Sequence, residues 1–369
     1  MTITVPVLGK RDLNRALLAR QMLLKRVNLP ALDAIERLVG LQAQAPNSPY
    51  YGLWARLEDF RQEELSQLLQ ERKAVRIALM RSTIHLVSAR DCLALRPWVQ
   101  AVLNRGLKGS FGKLLTGLDE QELADAGRAL VEEQPMTSNE LGKRLSEKWP
   151  DRDPEALAAA TRNSVPLVQL PPRGLWGESG QATHTSAEAW LGQTLSSEPE
   201  AEEMILRYLS AFGPASVKDM QTWSGLTGLR SEFEKLRPRL VSFQDELGNE
   251  LFDLPDAPRP DADSPSPARL LGEFDNILLS HADRTRIIDD AYRNRVFTKN
   301  GIIRSVILVD GFVSGMWHLN RGSGKRAVLT IEPFKKLTSQ ECDELTEEGA
   351  QLLKFVAGED EAHDIRFNY

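Results

Sequence analysis

Two glutamines, Gln42 and Gln44, flank one apolar residue in LQAQAPNSPYYGLWARL, which spans residues 41–57. Gly40 is expected to end the preceding helix, because a residue without Cβ is a common helix terminator and Pro46 cannot continue one. If residues 41–45 then run extended, side chains two apart share a face at a spacing of about 7 Å. Such an amide pair could orient a water molecule through hydrogen bonds, although an amide is a very weak base. The alternative is an ordinary polar loop in which each amide satisfies a turn.

Amphipathic helices flank this segment. Residues 11–27 carry apolar side chains at helical spacing and arginines on the opposite side, so we expect a helix with a basic back. The arginines concerned are Arg11, Arg15 and Arg26. Further helices are expected over residues 32–39, 62–72 and 88–101, the last of them capped by Ser88.

An alternating pattern over residues 75–87 predicts a β-strand. This strand contains Arg81, Thr83 and His85. A lone histidine in a strand is more often a core or hydrogen-bonding residue than a catalyst, and the pattern leaves both roles open for His85.

Two later segments each repeat the order of three helices followed by a hairpin. The first has helices over residues 120–133, 139–148 and 154–162 and a hairpin around PPRG at residues 171–174. The second has helices over residues 202–211, 217–223 and 226–236 and a hairpin over residues 240–254, whose turn is acidic. This is the order of a winged helix-turn-helix, whose third helix normally enters the DNA major groove. Arg162, Asn163 and Arg173 would be the DNA contacts of the first unit, unless it serves only as a scaffold.

The C-terminal part is expected to be β-rich. Residues 255–267, PDAPRPDADSPSP, form a linker or a long surface loop. Strands over residues 302–309 and 312–319 are joined by Asp310-Gly311, a strong hairpin signal. A strand over residues 328–331 and an acidic helix over residues 338–355 follow. Four arginines between the loop and the hairpin, Arg284, Arg286, Arg293 and Arg295, could bind the DNA backbone or pair with neighbouring aspartates.

Four blocks, in this order, resemble the AlkZ-type winged-helix DNA glycosylases. They are the QAQ segment, RSTIHLV at residues 81–87, EFDNILLSHADRTRI at residues 273–287 and VDGFVSGMW at residues 309–317. Members of that family are bacterial enzymes that excise N7-alkylated purines and unhook interstrand crosslinks. Their marker is a pair of glutamines around one apolar residue, although one branch has an aspartate at the second position.

The resemblance, with the helix order above, implies an α+β fold of tandem winged helix-turn-helix units at residues 1–115, 116–195 and 196–256, with a β-rich unit at residues 268–369. It implies a monofunctional DNA glycosylase with Gln42 and Gln44 as its catalytic pair. The partner would be double-stranded DNA with N7-alkylated purines, including bulky adducts and crosslinks, and N3-alkylated purines are a further candidate class. DNA contacts are expected from Arg81, Thr83, His85, Arg162, Arg173, Arg284, Arg286, Arg293 and Arg295. No metal or cofactor is expected, because the chain has no CxxC pair, P-loop or dinucleotide fingerprint.

The chemistry of such a lesion suits an amide pair. An N7-alkylguanine is cationic, so the base leaves neutral without a general acid. What remains is to place a water near C1′ and to tolerate positive charge on the sugar, which is a matter of orientation and electrostatics. The motif contains no lysine or N-terminal amine that could form a Schiff base, so no lyase step is expected.

The composition suits a soluble chain of two to four domains. It has 369 residues, of which 41% are hydrophobic and 27% are charged. No apolar run approaches the length of about 18 residues that spans a bilayer, and no signal peptide is recognised, so we expect a cytoplasmic monomer. Cys92 and Cys342 lie far apart, which fits a reducing compartment.

Charge is segregated along the chain, although the net charge of −6 is acidic. Residues 1–27 carry six positive and one negative charge, residues 71–113 nine and two, and residues 340–361 one and eight. This distribution could place a cationic groove on an acidic body, or simply reflect solvated helix faces.

Two other classes of protein share parts of this pattern. A non-enzymatic winged-helix regulator would have the same fold, and the acidic tail would suit a protein-interaction scaffold. The large C-terminal unit and the aromatic-flanked amide pair favour the glycosylase, because a repressor requires neither.

Overall fold

The computed structural model describes residues 5–196, 201–321, 326–357 and 362–369. In these ranges the chain forms fifteen α-helices and fourteen β-strands in three sheets, which confirms the expected α+β class. No helix in the described ranges combines the length and the apolar content needed to cross a bilayer. Residues 358–361, at the end of the acidic tail, lie outside the described residues.

The segment up to residue 111 alternates helices with short strands. Its elements are β1 (Val7–Leu8), α1 (Lys10–Arg20), α2 (Ala31–Arg37), β2 (Leu41–Gln42), α3 (Ser48–Trp54), α4 (Gln62–Gln70), β3 (Ala74–Ala78), β4 (Ile84–Ser88), α5 (Ala89–Trp98) and α6 (Gln100–Phe111). The expected single strand over residues 75–87 is wrong, because β3 and β4 are antiparallel strands separated by a tight turn. The Ser88 side chain accepts the Asp91 backbone N–H at 3.2 Å, which caps α5 as expected.

The next segment has the predicted order of helices. Its elements are α7 (Glu120–Glu133), β5 (Met136–Thr137), α8 (Ser138–Ser146), α9 (Pro154–Ser164), β6 (Leu167–Gln169), β7 (Thr183–Ser186) and α10 (Ala187–Leu191). Thr137 and Glu140 form a reciprocal capping box that begins α8, since each side chain bonds the backbone N–H of the other residue. Strands β6 and β7 pair antiparallel on either side of the turn that contains PPRG.

A third group of helices is followed by a hairpin. Its elements are α11 (Ala201–Phe212), α12 (Val217–Ser224), α13 (Arg230–Leu236), β8 (Val241–Asp245) and β9 (Glu250–Asp253). Helix α13 begins later than the predicted residue 226, because Gly225 and Gly228 take left-handed φ angles of 82° and 76° that interrupt helical geometry.

The C-terminal part is a five-stranded sheet with two helices. Its elements are β10 (Arg269–Leu271), α14 (Asp290–Val296), β11 (Val306–Val309), β12 (Phe312–Arg321), β13 (Arg326–Pro333), α15 (Ser339–Ala357) and β14 (Ala362–Phe367). Asp310 and Gly311 have φ angles of 47° and 81° and join β11 to β12 as expected. Strands β10 and β14 were not anticipated.

The sheets cross the expected unit boundaries. A six-stranded sheet has the order β2-β4-β3-β6-β7-β5, in which β3 pairs with β6. Strand β1 pairs with β8, so the N-terminal strand belongs to the sheet of residues 241–253. The expected boundary between residues 115 and 116 therefore separates strands that belong to the same sheet.

The solvated basic back expected for the first helix is wrong. Helix α1 ends at Arg20, before Met22 takes a left-handed φ of 57°. Its arginines and Arg26 are paired with carboxylates from distant elements. The pairs are Arg11 and Arg15 with Asp310, Arg20 with Asp253 at 2.6 Å, and Arg26 with Glu348 at 2.8 Å. These four arginines therefore hold the fold together through ion pairs.

Residues 255–267 are a surface loop that packs against α1. The carbonyl oxygens of Pro258, Ala262 and Ser264 accept hydrogen bonds from arginine side chains of α1. These bonds tie the loop to the body of the protein.

Candidate active site

A tight helix exit delivers the glutamine pair. Helix α2 ends at Arg37, not at Gly40 as expected, and the Val39 and Gly40 N–H groups bond to the carbonyl oxygens of Glu36 and Ile35 at 3.1 and 2.9 Å. Both residues have left-handed φ angles, 55° and 85°. A Cβ on Gly40 would lie 2.7 Å from Val87 Cγ1, so only glycine lets this exit pack against β4.

Strand β2 carries the pair into the six-stranded sheet. Gln42 lies opposite His85 in the antiparallel pairing of β2 with β4, and the Ala43 N–H bonds to the Ile84 carbonyl oxygen at 2.7 Å. The extended segment therefore reaches Ala43 and the bend begins at Gln44, so the extension expected over residues 41–45 ends two residues early.

The two amides converge on the turn between β3 and β4. Gln42 Oε1 accepts a hydrogen bond from the Arg81 guanidinium at 2.7 Å, and Gln44 Oε1 accepts the Ile84 backbone N–H at 3.0 Å. Because only a carbonyl oxygen can accept from these donors, both amide orientations are determined. Gln42 is buried at 6% exposure, whereas Gln44 is exposed. Each oxygen keeps a second lone pair that a water molecule could use.

The turn itself has a strained backbone. Arg81 and Ser82 have left-handed φ angles of 55° and 60°, and the Leu79 N–H bonds across the turn to the Thr83 carbonyl oxygen at 3.0 Å. Thr83 is half-buried, and its hydroxyl donates to the Met80 carbonyl oxygen at 3.0 Å. Non-glycine residues in this conformation are commonly found at functional sites.

Arg81 is held between the glutamine and the end of α12. Its guanidinium also donates to the Trp223 carbonyl oxygen, and Gly225 packs so closely that a Cβ there would lie 3.4 Å from the Arg81 backbone nitrogen. Burial, together with the charge of Arg284, lowers the pKa of Arg81 to about 10, so Arg81 stays charged at neutral pH. Arg81 was expected to contact phosphate, and its observed contacts make it a support for Gln42.

His85 lies beside Gln42 on the same face of the sheet, since directly opposite residues of antiparallel strands share a face. It is only 3% exposed, and its Nδ1 lies 3.0 Å from the Thr83 carbonyl oxygen. Burial and the Arg81 charge lower the pKa of His85 to about 3. The imidazole is therefore neutral at physiological pH.

Arg76 is a site residue that the sequence did not reveal. It is buried on β3 and donates to the carbonyl oxygen of Ala43, the residue between the glutamines, at 2.8 Å. A Cβ on Gly174 would lie 2.6 Å from Arg76 Cδ, so the turn after β6 packs directly against this arginine. The contact joins distant parts of the sequence, and no local pattern indicates it.

Arginines around the site lack acidic partners. Within the described ranges, no salt bridge is formed by Arg76, Arg81, Arg173, Arg284 or Arg293. Burial lowers the pKa of Arg81, Arg284 and Arg76. The nearby charge of Arg284 lowers the pKa of Arg81 further, that of Arg293 the pKa of Arg284, and that of Arg173 the pKa of Arg76. The accessible ones among them, Arg173, Arg284 and Arg293, are suited to bind an anion such as phosphate.

The other predicted DNA contacts fall in different environments. Arg284 is half-buried over the Phe297 ring at 4.6 Å, and Arg295 is exposed over Phe334 at 4.1 Å. Arg293 is exposed, and Arg173 is half-buried and donates to the Gly180 carbonyl oxygen at 3.0 Å. Arg162 is half-buried and lines a cavity of about 250 Å³ between α6 and α9.

Arg286, which was expected to contact DNA, is buried in this structure. The residue is 5% exposed, and its guanidinium donates to the Pro214 carbonyl oxygen at 2.8 Å and lies 4.0 Å from the Asp219 carboxylate. Phosphate cannot reach it there. Arg286 instead stabilises the junction between α12 and the segment that precedes α14.

In the part of the chain that the structure describes, no group of three or more His, Cys, Asp or Glu side chains could hold a metal ion. Cys92 is buried, and burial raises the pKa of its thiol to about 12.

The arginines that lack carboxylates give a binding prediction. Arg173→Ala and Arg284→Ala should each weaken binding to undamaged duplex and reduce the slope of log affinity against log salt by roughly one unit, as the loss of one phosphate contact would. Arg230→Ala is the matched control, because Arg230 is exposed but already paired with Glu234 at 2.8 Å. Fluorescence anisotropy over a salt series measures the slope. Unchanged slopes for both site variants would place the DNA on another surface.

Comparison with known proteins gives a consistent result. The family model described as DNA glycosylase AlkZ-like matches residues 35–355. The interstrand DNA cross-link repair glycosylase of Streptomyces sahachiroi is 26% identical over 321 residues, which cover 81% of this chain and 85% of that protein. The solved structure of the Streptomyces sahachiroi DNA glycosylase AlkZ is similar with a TM-score of 0.81 at 21% identity, over 98% of this chain and 100% of that chain.

Proposed function

The chain belongs to the AlkZ-like family of DNA glycosylases, and from that membership we propose that it hydrolyses the glycosidic bond of cationic, N7-alkylated purines in double-stranded DNA. As a glycosylase it is a hydrolase acting on N-glycosyl bonds. The proposal extends to bulky adducts and interstrand crosslinks, and to N3-alkylated purines as a further class. The observation that carries it is the geometry of Gln42 and Gln44, whose carbonyl oxygens are oriented by protein donors at 2.7 and 3.0 Å.

This geometry suits water placement more than proton transfer to the base. Each carbonyl oxygen has one lone pair left to accept a hydrogen bond from water, and neither amide can protonate a leaving group. A base that is already cationic needs no such proton. The partners of the two carbonyl oxygens are Arg81 and the Ile84 N–H, and no lysine takes part, which supports a hydrolytic enzyme without a lyase step.

The exposure of Gln44 supports activity on large lesions. Because Gln44 is exposed while Gln42 is buried, the reacting bond could reach the pair without the whole lesion being enclosed. The Streptomyces sahachiroi relative is named for crosslink repair, which supports the same substrates here.

The arginines around the site support binding of the DNA backbone there. A cationic lesion would be repelled by Arg76 and Arg81, and bound phosphates supply the compensating negative charge. We propose that the units at residues 1–115, 116–195 and 196–256 act as winged helices around this surface, with residues 268–369 as the C-terminal unit. We further propose that the enzyme acts as a monomer in the cytoplasm.

A crosslinked duplex tests the proposal. Its two strands carry different fluorescent labels and are joined through guanine N7 atoms. We expect the strands to separate on a denaturing gel, one with an alkali-sensitive abasic site and the other with the bridging adduct still attached. Strand cleavage without alkali would instead indicate a lyase, and a crosslink that stays intact would exclude unhooking.

A further inference from the structure

Hydrolysis of a cationic nucleotide releases a proton that the leaving base does not take. When the bond between N9 and C1′ breaks, its electron pair moves to the base and cancels the positive charge. The oxygen of water forms the new bond to C1′, and one of its protons must leave. The site therefore needs a proton acceptor, and an amide is too weak a base for that role.

The two glutamine oxygens are also partly occupied. Gln42 Oε1 accepts from a charged guanidinium at 2.7 Å, which draws electron density away from it. Gln44 Oε1 accepts from the Ile84 N–H at 3.0 Å. Both can orient a water molecule, but neither is suited to take its proton.

His85 presents a free acceptor beside them. A carbonyl oxygen can only accept, so the Nδ1 that lies 3.0 Å from the Thr83 carbonyl oxygen carries the proton, and Nε2 carries the lone pair. Nε2 makes no hydrogen bond to any residue in the described ranges, yet it is not among the fully buried unpaired atoms. The pairing of β2 with β4 sets the imidazole on the same face as Gln42.

We propose that His85 is a further catalytic residue, whose Nε2 accepts the proton of the water that Gln42 and Gln44 orient. This inference rests on the proposed function. As the bond from the water oxygen to C1′ forms and the N9–C1′ bond breaks, the proton moves to Nε2 and is then lost to bulk water. The Thr83 carbonyl oxygen stabilises the imidazolium formed in between, because it accepts the Nδ1 proton throughout.

The electrostatics of His85 suit a departing cationic base. Its pKa of about 3 keeps the imidazole unprotonated and available at neutral pH. It is a weak base, comparable to a carboxylate of pKa about 4. A weak base is sufficient because the positive charge on the purine has already weakened the glycosidic bond.

Two isosteric variants separate this role from a structural one. In His85→Asn the amide replaces the Nδ1–H and can still donate to Thr83, but nothing replaces Nε2. In His85→Gln the amide reaches the Nε2 position, but the bond to Thr83 is lost. We expect His85→Asn to lower the single-turnover release of N7-methylguanine at least about 100-fold, as the loss of a general base does. His85→Gln should lower the rate by a similar factor, because its amide is too weak a base to replace Nε2.

Both variants should bind duplex with unchanged affinity. If His85 served only the fold, His85→Asn would release base at the wild-type rate because it keeps the bond to Thr83, and that result would overturn the inference. If His85→Asn folds poorly, the His85→Gly variant is assayed with added imidazole. Restoration of the rate of base release by imidazole supports the role of His85, and failure to restore it overturns the inference. If the wild-type protein releases no base, the proposed function is contradicted as well. If the wild type and His85→Asn release base at equal rates, only the role of His85 is contradicted.

Discussion

Gln42→Ala and Gln44→Ala are expected to lower the single-turnover release of N7-methylguanine by about 10²- to 10³-fold each, the cost of losing one oriented hydrogen-bonding group in an active site. The amides orient water and do not neutralise phosphate, so the dissociation constant for duplex should change little. Gln42→Ala should also lower the melting temperature, because it leaves the Arg81 guanidinium without its partner at 2.7 Å. Gln44 is exposed, so Gln44→Ala should leave the melting temperature nearly unchanged.

Gln67→Ala is the matched control for this pair. Gln67 is an exposed glutamine on α4 that bonds Glu71 at 2.6 Å, and its removal should leave release and binding unchanged. Binding that is lost in the site variants without a specific loss of excision would contradict the catalytic assignment.

Gln44→Asp is a more demanding version of the same test. An aspartate carboxylate oxygen can accept the Ile84 N–H as the Gln44 carbonyl oxygen does, provided that the shorter side chain reaches it. Activity should survive at least in part, in line with the family branch that carries aspartate at this position. Complete inactivity would show that the geometry of the pair differs from that branch.

The second large effect concerns the leaving group. The enzyme should release only cationic bases when it is given otherwise identical duplexes with different lesions. The lesions are N7-methylguanine, a bulky N7-guanine adduct, an N7 crosslink, uracil, 8-oxoguanine and hypoxanthine. The physical reason is that neither amide can deliver a proton to a neutral base. His85 is unprotonated at neutral pH, since its pKa is lowered to about 3, and so cannot serve as an acid either.

Released base is measured by chromatography under single-turnover conditions. The control is the Gln42→Ala protein with the same duplexes, which separates enzymatic release from spontaneous depurination of the cationic lesions. Efficient release of uracil or 8-oxoguanine would show that the site holds an acid or strong base that Gln42, Gln44 and His85 do not supply.

Features that depend on near neighbours were accessible from the sequence. The Ser88 cap and the Asp310-Gly311 turn involve residues within a few positions of one another, and the structure confirms them. Helix and strand boundaries were predicted wrongly where the backbone adopts a conformation that the residue type does not favour. Val39 and Arg81 adopt left-handed φ angles that such residues rarely take, and their residue types do not indicate this conformation.

The charged residues also had one property that the sequence predicted and one that only the structure shows. The sequence located the basic clusters at residues 1–27 and 71–113, but it could not show which charges are neutralised. The first cluster pairs with carboxylates up to 322 positions away, as Arg26 does with Glu348. The second retains Arg76 and Arg81 without salt bridges in the described ranges, beside the glutamines. An ion pair depends on distance in space, which a linear charge count does not contain.

The amino-acid sequence by itself determined the amide pair, its apolar and aromatic surroundings and the α+β class, because these follow from residue type and short-range periodicity. Tertiary structure alone decided that Arg81 orients Gln42, that Arg76 holds Ala43 and that His85 shares the face of Gln42. These contacts join strands β2, β3 and β4, whose pairing depends on the burial of the whole sheet and not on any local preference.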